Sequence, residues 1–289
     1  MLVGIDSYSY HRLYGEVRAG ERALVGDPWA FDPAPVLEHA ERVGAQAVYL
    51  ETCYLPEPER VTAGMLDSPL TVGLSWGHPW PGRVHGLEGG RSWAAEQELT
   101  RWIDAASRLG HPLLRITAGT PATRGDEPAE VLVERLTGPV RRAAVHAERA
   151  GVRLALENHG DLRAADILDL FERVGMPDTL GVCLDNVNLI RVGDDMAEGT
   201  RLLAPHALLV QLKDHRAGDP FVDGGPECTA LGEGVADLPG LLGILAGAGF
   251  DGAVCVEIAS LGSGEVDELQ LIERSVHWLH ENLPGGSTG

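Results

Sequence analysis

No stretch of the 289-residue chain approaches the roughly 18 consecutive apolar residues that a membrane helix needs, so no membrane association is expected. Basic residues are few: 23 Lys and Arg stand against 43 Asp and Glu, a formal net charge of −20. That balance repels polyanions and leaves no basic face on which phosphates could release counterions, so nucleic acid is not an expected partner. Only four cysteines occur, Cys53, Cys183, Cys228 and Cys255, with no C-x-x-C pair. A chain this long folds without disulfides, and these are expected as free thiols. The opening MLVGIDSYSYHR lacks a positive region followed by an apolar stretch, so no secretory signal is read and a cytoplasmic location is expected. No G-x-G-x-x-G or P-loop follows any apolar run, which weighs against an open dinucleotide-binding sheet.

What the chain does contain is an alternation of short apolar, β-branched runs with longer segments of helical period. Eight runs are found: LVGIDSYS (2–9), AVYLETC (47–53), LTVGLSW (70–76), LLRITAG (113–119), VRLALENHG (152–160), LGVCLDNVN (180–188), ALLVQLKDH (207–215) and AVCVEIAS (253–260). Helices are expected over 33–44, 90–110, 127–151, 163–175, 194–203, 237–249 and 265–283, with only a weak candidate near 57–65. Near-continuous apolar strands imply burial on both faces. Eight βα units in one chain of this length therefore predict an α/β fold, a single (β/α)8 TIM barrel over residues 1–283, with 284–289 (PGGSTG) as a flexible tail.

In such a barrel the active site lies at the C-terminal ends of the strands. Those positions carry Glu157 and His159 on the fifth run, Asp185 on the sixth, Gln211, Lys213 and His215 on the seventh, and Glu257 on the eighth. The period of two groups 157 with 159, and 211 with 213 and 215. If these faces point inward, three carboxylates and Gln211 converge, and either protons or a divalent cation must relieve the repulsion. Glu51, ending the second run, is placed at the pocket wall without a ligand role. Cys183 and Cys255, two residues before Asp185 and Glu257, are expected one layer deeper as barrel filling.

The runs LALENHG, CLDNVN, QLKDH and VEIAS resemble the corresponding strands of the xylose isomerase-like sugar isomerase/epimerase superfamily. The resemblance spans the barrel and is specific in its second half. It implies one divalent metal held by Glu157, Asp185, the residue at 211 and Glu257, with Glu157 and Glu257 also the catalytic acid/base pair. The family pattern has histidine where this chain has Gln211. A glutamine carbonyl would make the shell all-oxygen, which suits Mn²⁺ or Mg²⁺ better than Zn²⁺, or the change marks weakened metal affinity or a subgroup with different chemistry. Abasic-DNA endonucleases share this barrel, but by resemblance they use a histidine-rich zinc cluster, which this carboxylate-rich set does not match.

The expected substrate is a small carbohydrate. A metal-stabilised enediolate with two carboxyl groups for proton transfer permits isomerisation or epimerisation of a sugar or polyol ketone. The alternatives are a lyase of the same superfamily, acting as an inosose-type dehydratase or a 3-keto-glycoside eliminase, and a non-catalytic carbohydrate-binding barrel. Lys213 is read either as a substrate or enolate contact or as a salt bridge to a neighbouring acid. Arg115 either anchors an acidic substrate group or pairs with Glu157 or another barrel acid. His159 is assigned to substrate contact, and His215 to substrate contact or the solvated loop, with a ligand role as the lesser alternative. The segments 8–29 and 76–86, carrying Trp76 and His78, are read as a lid over a sugar ring or as packing between subunits of a homo-oligomer or against the helical ring.

Overall fold

The computed structural model describes residues 1–18, 21–24, 28–29, 31–217, 227–261 and 266–284, so most of the expected tail, 285–289, lies outside the described residues. All eight apolar runs form strands, in order: β1 (Leu2–Asp6), β2 (Ala47–Glu51), β3 (Thr71–Trp76), β4 (Leu113–Thr117), β5 (Arg153–Glu157), β6 (Leu180–Asp185), β7 (Ala207–Leu212) and, after a small antiparallel pair β8 (Asp214–His215) and β9 (Cys228–Thr229), β10 (Ala253–Val256). Every neighbouring pair in the barrel is parallel, and β1 closes it by pairing with β10 through Leu2–Ala253 to Ile5–Val256. The expected eight-stranded barrel is therefore present.

Helices α1 (Ala34–Arg42), α2 (Trp93–Leu109), α4 (Ala129–Ala150), α5 (Ala164–Val174), α7 (Met196–Leu203), α8 (Leu238–Gly247) and α9 (Glu268–Asn282) occupy the periodic segments. Their apolar stripes face the sheet, as Leu99, Trp102, Ile103 and Ala106 of α2 show by being wholly buried. Glycines 110 and 151 end α2 and α4 at φ 77° and 70°, a left-handed conformation that a Cβ disfavours. The weak segment near 57–65 forms two single 3₁₀ turns, Pro58–Arg60 and Ala63–Leu66. Two short helices were not anticipated, α3 (Pro121–Arg124) and α6 (Asn186–Arg191). Among the described residues no helix is long and apolar enough to cross a membrane.

Strand alternation divides the core in two. Val48, Leu50, Leu74, Trp76, Leu114, Ile116 and Leu156 point outward under the helices, within the larger cluster. Ala47, Tyr49, Leu113, Ala155, Cys183, Leu209, Ala253 and Cys255 fill the barrel interior. Tyr49 fits there because residue 73 has no side chain: a Cβ at Gly73 would lie 2.3 Å from its ring. All four cysteines are free and buried, and Cys183 and Cys255 are packing residues as expected. This apolar floor leaves the next inward layer, at the strands' C-terminal ends, for polar side chains.

Candidate active site

The strand ends place five carboxyl side chains in one buried layer: Asp6 from β1, Glu51 from β2, Glu157 from β5, Asp185 from β6 and Glu257 just after β10. Two buried cations face them. Arg115, in the middle of β4, pairs with Glu51 Oε1 through Nη2 and lies 3.0 Å from Glu157 Oε2 through Nε. The second contact is an ion pair without hydrogen-bond alignment, since both of its atoms lack a hydrogen-bond partner. Lys213, one residue beyond β7, sets Nζ 2.5 Å from Asp185 Oδ2 and 2.8 Å from Glu257 Oε1. Both cations thus adopt the acid-pairing arrangement, while still lining the cavity.

Burial pushes the carboxyls of Asp6, Glu51 and Glu157 up, against the lowering pull of Arg115. It pushes Glu257 up to about 8, with Lys213 opposing. For Lys213 burial works downward, but the carboxylates of Asp185, Glu257 and Glu157 outweigh it and hold the ammonium above its ordinary range. Excess acid in a dry layer is therefore relieved partly by protons and partly by two fixed cations.

A cavity of about 360 Å³ opens above this layer, lined by Glu51, Arg115, Glu157, His159, Lys213 and Glu257, with Tyr8, His78, Asn188 and Arg191 among the other residues of its wall. Second oxygens of Glu51, Glu157 and Glu257 are buried there without hydrogen-bond partners. His159 is fixed by its Nδ1, 2.8 Å from the Gly119 carbonyl, and burial lowers it to about 4. The ring is neutral at pH 7, so Nδ1–H donates to that carbonyl and Nε2 is an acceptor, 4.0 Å from Glu157 Oε1. His78 is held by Glu16, whose oxygens lie 2.8 and 2.9 Å from Nε2, while Tyr54 donates to the same carboxylate at 2.8 Å.

Four expected site residues, Trp76, His215, Gln211 and Asp185, do not line the cavity. Trp76 follows Ser75 on β3, so the period of two turns it outward; it is buried under the helices with Nε1 3.4 Å from Glu98. His215 belongs to β8, because the chain leaves the barrel after Leu212; its Nδ1 is 3.0 Å from the Arg216 carbonyl. Gln211 sits one layer below the cavity. Its amide donates to Asp6 Oδ2 at 2.9 Å and its carbonyl oxygen accepts from the Cys183 thiol at 3.3 Å. The expected sixth strand also ends early: Asp185 caps α6 by accepting from the backbone N–H groups of Val187 and Asn188, which brings Asn188 round to donate to Glu157 and Asp185.

Of the lid segments, Tyr8, Arg18, His78, Pro79 and His85 reach the cavity, whereas Tyr14, Trp29 and Trp80 pack on one another or on Tyr54 from the turn after β2. Tyr14 stacks on Tyr54 at 4.3 Å, and Trp80 meets Tyr54 edge-on at 5.5 Å. Asp6, Asn188 and the Glu16–His78 pair were not singled out in the sequence. Asp6 was detectable, since it closes the first apolar run on the parity of Gly4, whose Cβ position faces Cys255 in the interior. Glu16 carried no such signal, because a loop residue 62 positions from its partner has no period to reveal it.

The four expected metal ligands do not compose a coordination shell in this arrangement. Gln211 spends its carbonyl on Cys183, and Asp185 accepts two backbone and two side-chain donors. Among the described residues no group of three or more His, Cys, Asp or Glu side chains is disposed to hold a metal ion. The cation that meets Asp185 and Glu257 is the chain's own.

Comparison with solved structures finds the same barrel widely. An L-ribulose 3-epimerase is 18% identical, covering 99% of this chain and 95% of its own, with a TM-score of 0.71. The IOLI protein, solved with a binding zinc atom, is 13% identical over 100% of both chains at 0.72. A probable 3-DHS dehydratase from Bacillus anthracis is 14% identical over 96% and 98% at 0.67. Curated protein sequences provide no match. The family model for the xylose isomerase-like TIM barrel matches residues 72–282, well over half of the sequence, and on that match the chain belongs to the xylose isomerase-like TIM-barrel family.

Proposed function

We propose that this protein is a sugar or polyol-ketone isomerase or epimerase that moves a proton on carbon next to a carbonyl group. The observation carrying this reading is that Glu157 and Glu257 both present a buried oxygen without a hydrogen-bond partner at one cavity, with Lys213 paired to Glu257 and Arg115 ion-paired to Glu157. Burial pushes the Glu257 carboxyl up to about 8, which suits it to give a proton. Glu157, beside Arg115 and Asn188, is suited to take one. Charge developing on the substrate oxygen as the proton leaves carbon would meet the Lys213 ammonium and the Arg115 guanidinium, fixed in a dry site where such charges act most strongly. Neutral His159, with Nε2 toward the cavity, is suited to accept from a substrate hydroxyl. A volume of about 360 Å³ is near the lower end of small-molecule sites and suits a monosaccharide-sized polyol.

The resemblance implies a divalent ion, Mn²⁺ or Mg²⁺, but the donors as arranged do not fit one, and the chain's own groups carry each role above. The His78–Glu16 pair favours one second reading: a third proton-carrying group at the cavity suits elimination, in which a leaving hydroxyl or glycosyl oxygen must be protonated.

Incubation with keto-sugars, inososes and 3-keto-glycosides in D₂O, followed by NMR, tests both. Deuterium entering at carbon beside the carbonyl is expected, and Glu157→Gln and Glu257→Gln should each slow it by about 10²–10⁴-fold. No exchange with any of these substrates, or exchange undiminished in both variants, would remove the proton-transfer reading. Release of water or aglycone in place of a stereochemical change would select the lyase.

A further inference from the structure

Of the 23 basic residues, 22 are arginine, and the single lysine of the chain is Lys213. Every other side chain with a permanent positive charge is thus a guanidinium, while the one side-chain ammonium is buried at the centre of the candidate site. Its place is set from both sides: its backbone N–H donates to Asn186 Oδ1 and its carbonyl accepts from Asn186 Nδ2, each at 2.9 Å. Asn186 opens α6 directly after Asp185, so the helix that orients Asp185 also fixes the backbone of Lys213.

The lone-pair sites of Asp185 are filled, while Glu257 keeps one oxygen without a hydrogen-bond partner. Asp185 Oδ1 accepts from the N–H groups of Val187 at 2.9 Å and Asn188 at 3.0 Å; Oδ2 accepts from Asn188 Nδ2 at 2.7 Å and Lys213 Nζ at 2.5 Å. Four donors occupy the four lone-pair sites that a carboxylate offers. Glu257 Oε1 takes Lys213 at 2.8 Å, and Gln211, at the position expected to supply the fourth ligand, is turned to Asp6 and Cys183. A dication bridging Asp185 and Glu257 would have to share both carboxylates with an ammonium already in contact with them, and like charges at that separation repel strongly in a buried site.

The geometry points to Lys213 as a built-in substitute for the divalent cation, its ammonium holding Asp185 and Glu257 together and offering its remaining N–H to an oxygen of an α-hydroxy ketone substrate. An ammonium carries three N–H donors, two of which are spent on the carboxylates. A guanidinium is a broad planar fork suited to bidentate pairing, whereas this position, just past β7, requires a compact point charge between two acids from the strands on either side of it, β6 and β10. The protein would therefore bind and turn over its substrate without a divalent metal. What the third N–H contacts rests on the proton-transfer reading above; the exclusion of the metal does not.

A sole lysine permits a direct test on the resting protein. With lysine carrying ¹³C at Cε, the full-length chain gives one lysine side-chain signal, and chelator-treated protein is titrated with MnCl₂. The signal is expected to stay sharp at one equivalent of Mn²⁺, and calorimetry is expected to show Lys213→Met binding Mn²⁺ at least roughly tenfold more tightly than the wild type, because the cation position is vacated. Loss of the signal to paramagnetic broadening at one equivalent, with the signal surviving in Asp185→Ala, would place Mn²⁺ beside Lys213 and overturn the inference. So would Lys213→Met that folds and binds no more tightly than the wild type. Neither measurement uses a substrate, so failure here is distinct from failure of the deuterium-exchange test.

Discussion

Arg115 is the group whose removal this site should tolerate least. It is buried in β4 and serves Glu51 and Glu157 together; both acids are buried, and the second oxygen of Glu51 has no hydrogen-bond partner. Arg115→Met keeps much of the volume but deletes the charge. Breaking a buried pair by removing one partner costs about 3–5 kcal/mol, because the other charge is left without compensation. At about 2 °C per kcal/mol for a chain of this size, Tm should fall by roughly 6–10 °C at pH 7. The loss should also depend on pH with a definite sign. Without the lowering pull of Arg115, the carboxyls of Glu51 and Glu157 rise further above the unfolded value. An acid whose folded pKa is raised stabilises fully below its unfolded pKa and loses that contribution as pH climbs through the folded one, so the gap between variant and wild type should widen from pH 5 to pH 8. Adding Glu51→Gln removes one stranded acid and should recover part of the loss, a coupling that a double-mutant cycle in urea reads directly. A destabilisation below about 1 kcal/mol at pH 7, or one constant between pH 5 and 8, would refute the view that Arg115 neutralises this layer.

Two further outcomes follow from the same layer. With the Glu257 carboxyl raised to about 8 by burial, kcat/KM for a substrate found in the exchange screen should fall above about pH 8 as the proton donor ionises, and Glu257→Gln should erase that limb from whatever rate remains; an unchanged alkaline limb in the variant would assign the ionisation elsewhere. Gln211→Leu should cost about 1–3 kcal/mol in urea unfolding, because Asp6 Oδ2 loses its buried amide donor; stability equal to the wild type would mean that Gln211 contributes nothing to the floor of the site.

The barrel was legible in the sequence because parallel strands covered on both faces must be apolar along their length, and helices between them must carry a 3.6-residue stripe. All eight runs became strands, each starting within one residue of its run. Their ends were less legible: the runs at 180–188 and 207–215 continue past the points where Asp185 begins α6 and where Leu212 ends β7. A local side-chain cap, or a departure from the barrel, leaves no mark on hydrophobic period. The same limit affected the site. Glu157, Glu257, Lys213, Arg115, His159 and His78 reach the cavity, whereas parity turns Trp76 outward, His215 lies past the turn after β7, Asp185 is turned to α6 and Lys213, and Gln211 faces inward one layer below.

Sequence alone thus determined the barrel, its strand order and four of the five strand ends that carry acids, Asp6 being the one passed over, since these depend on periodicity and on a topology that the right-handed βαβ connection restricts. Tertiary structure decided which acids meet which cations. Pairing Arg115 with Glu51, or Lys213 with both Asp185 and Glu257, depends on the stagger between strands and on side-chain reach across the barrel, quantities set by closure of the sheet and absent from any single strand.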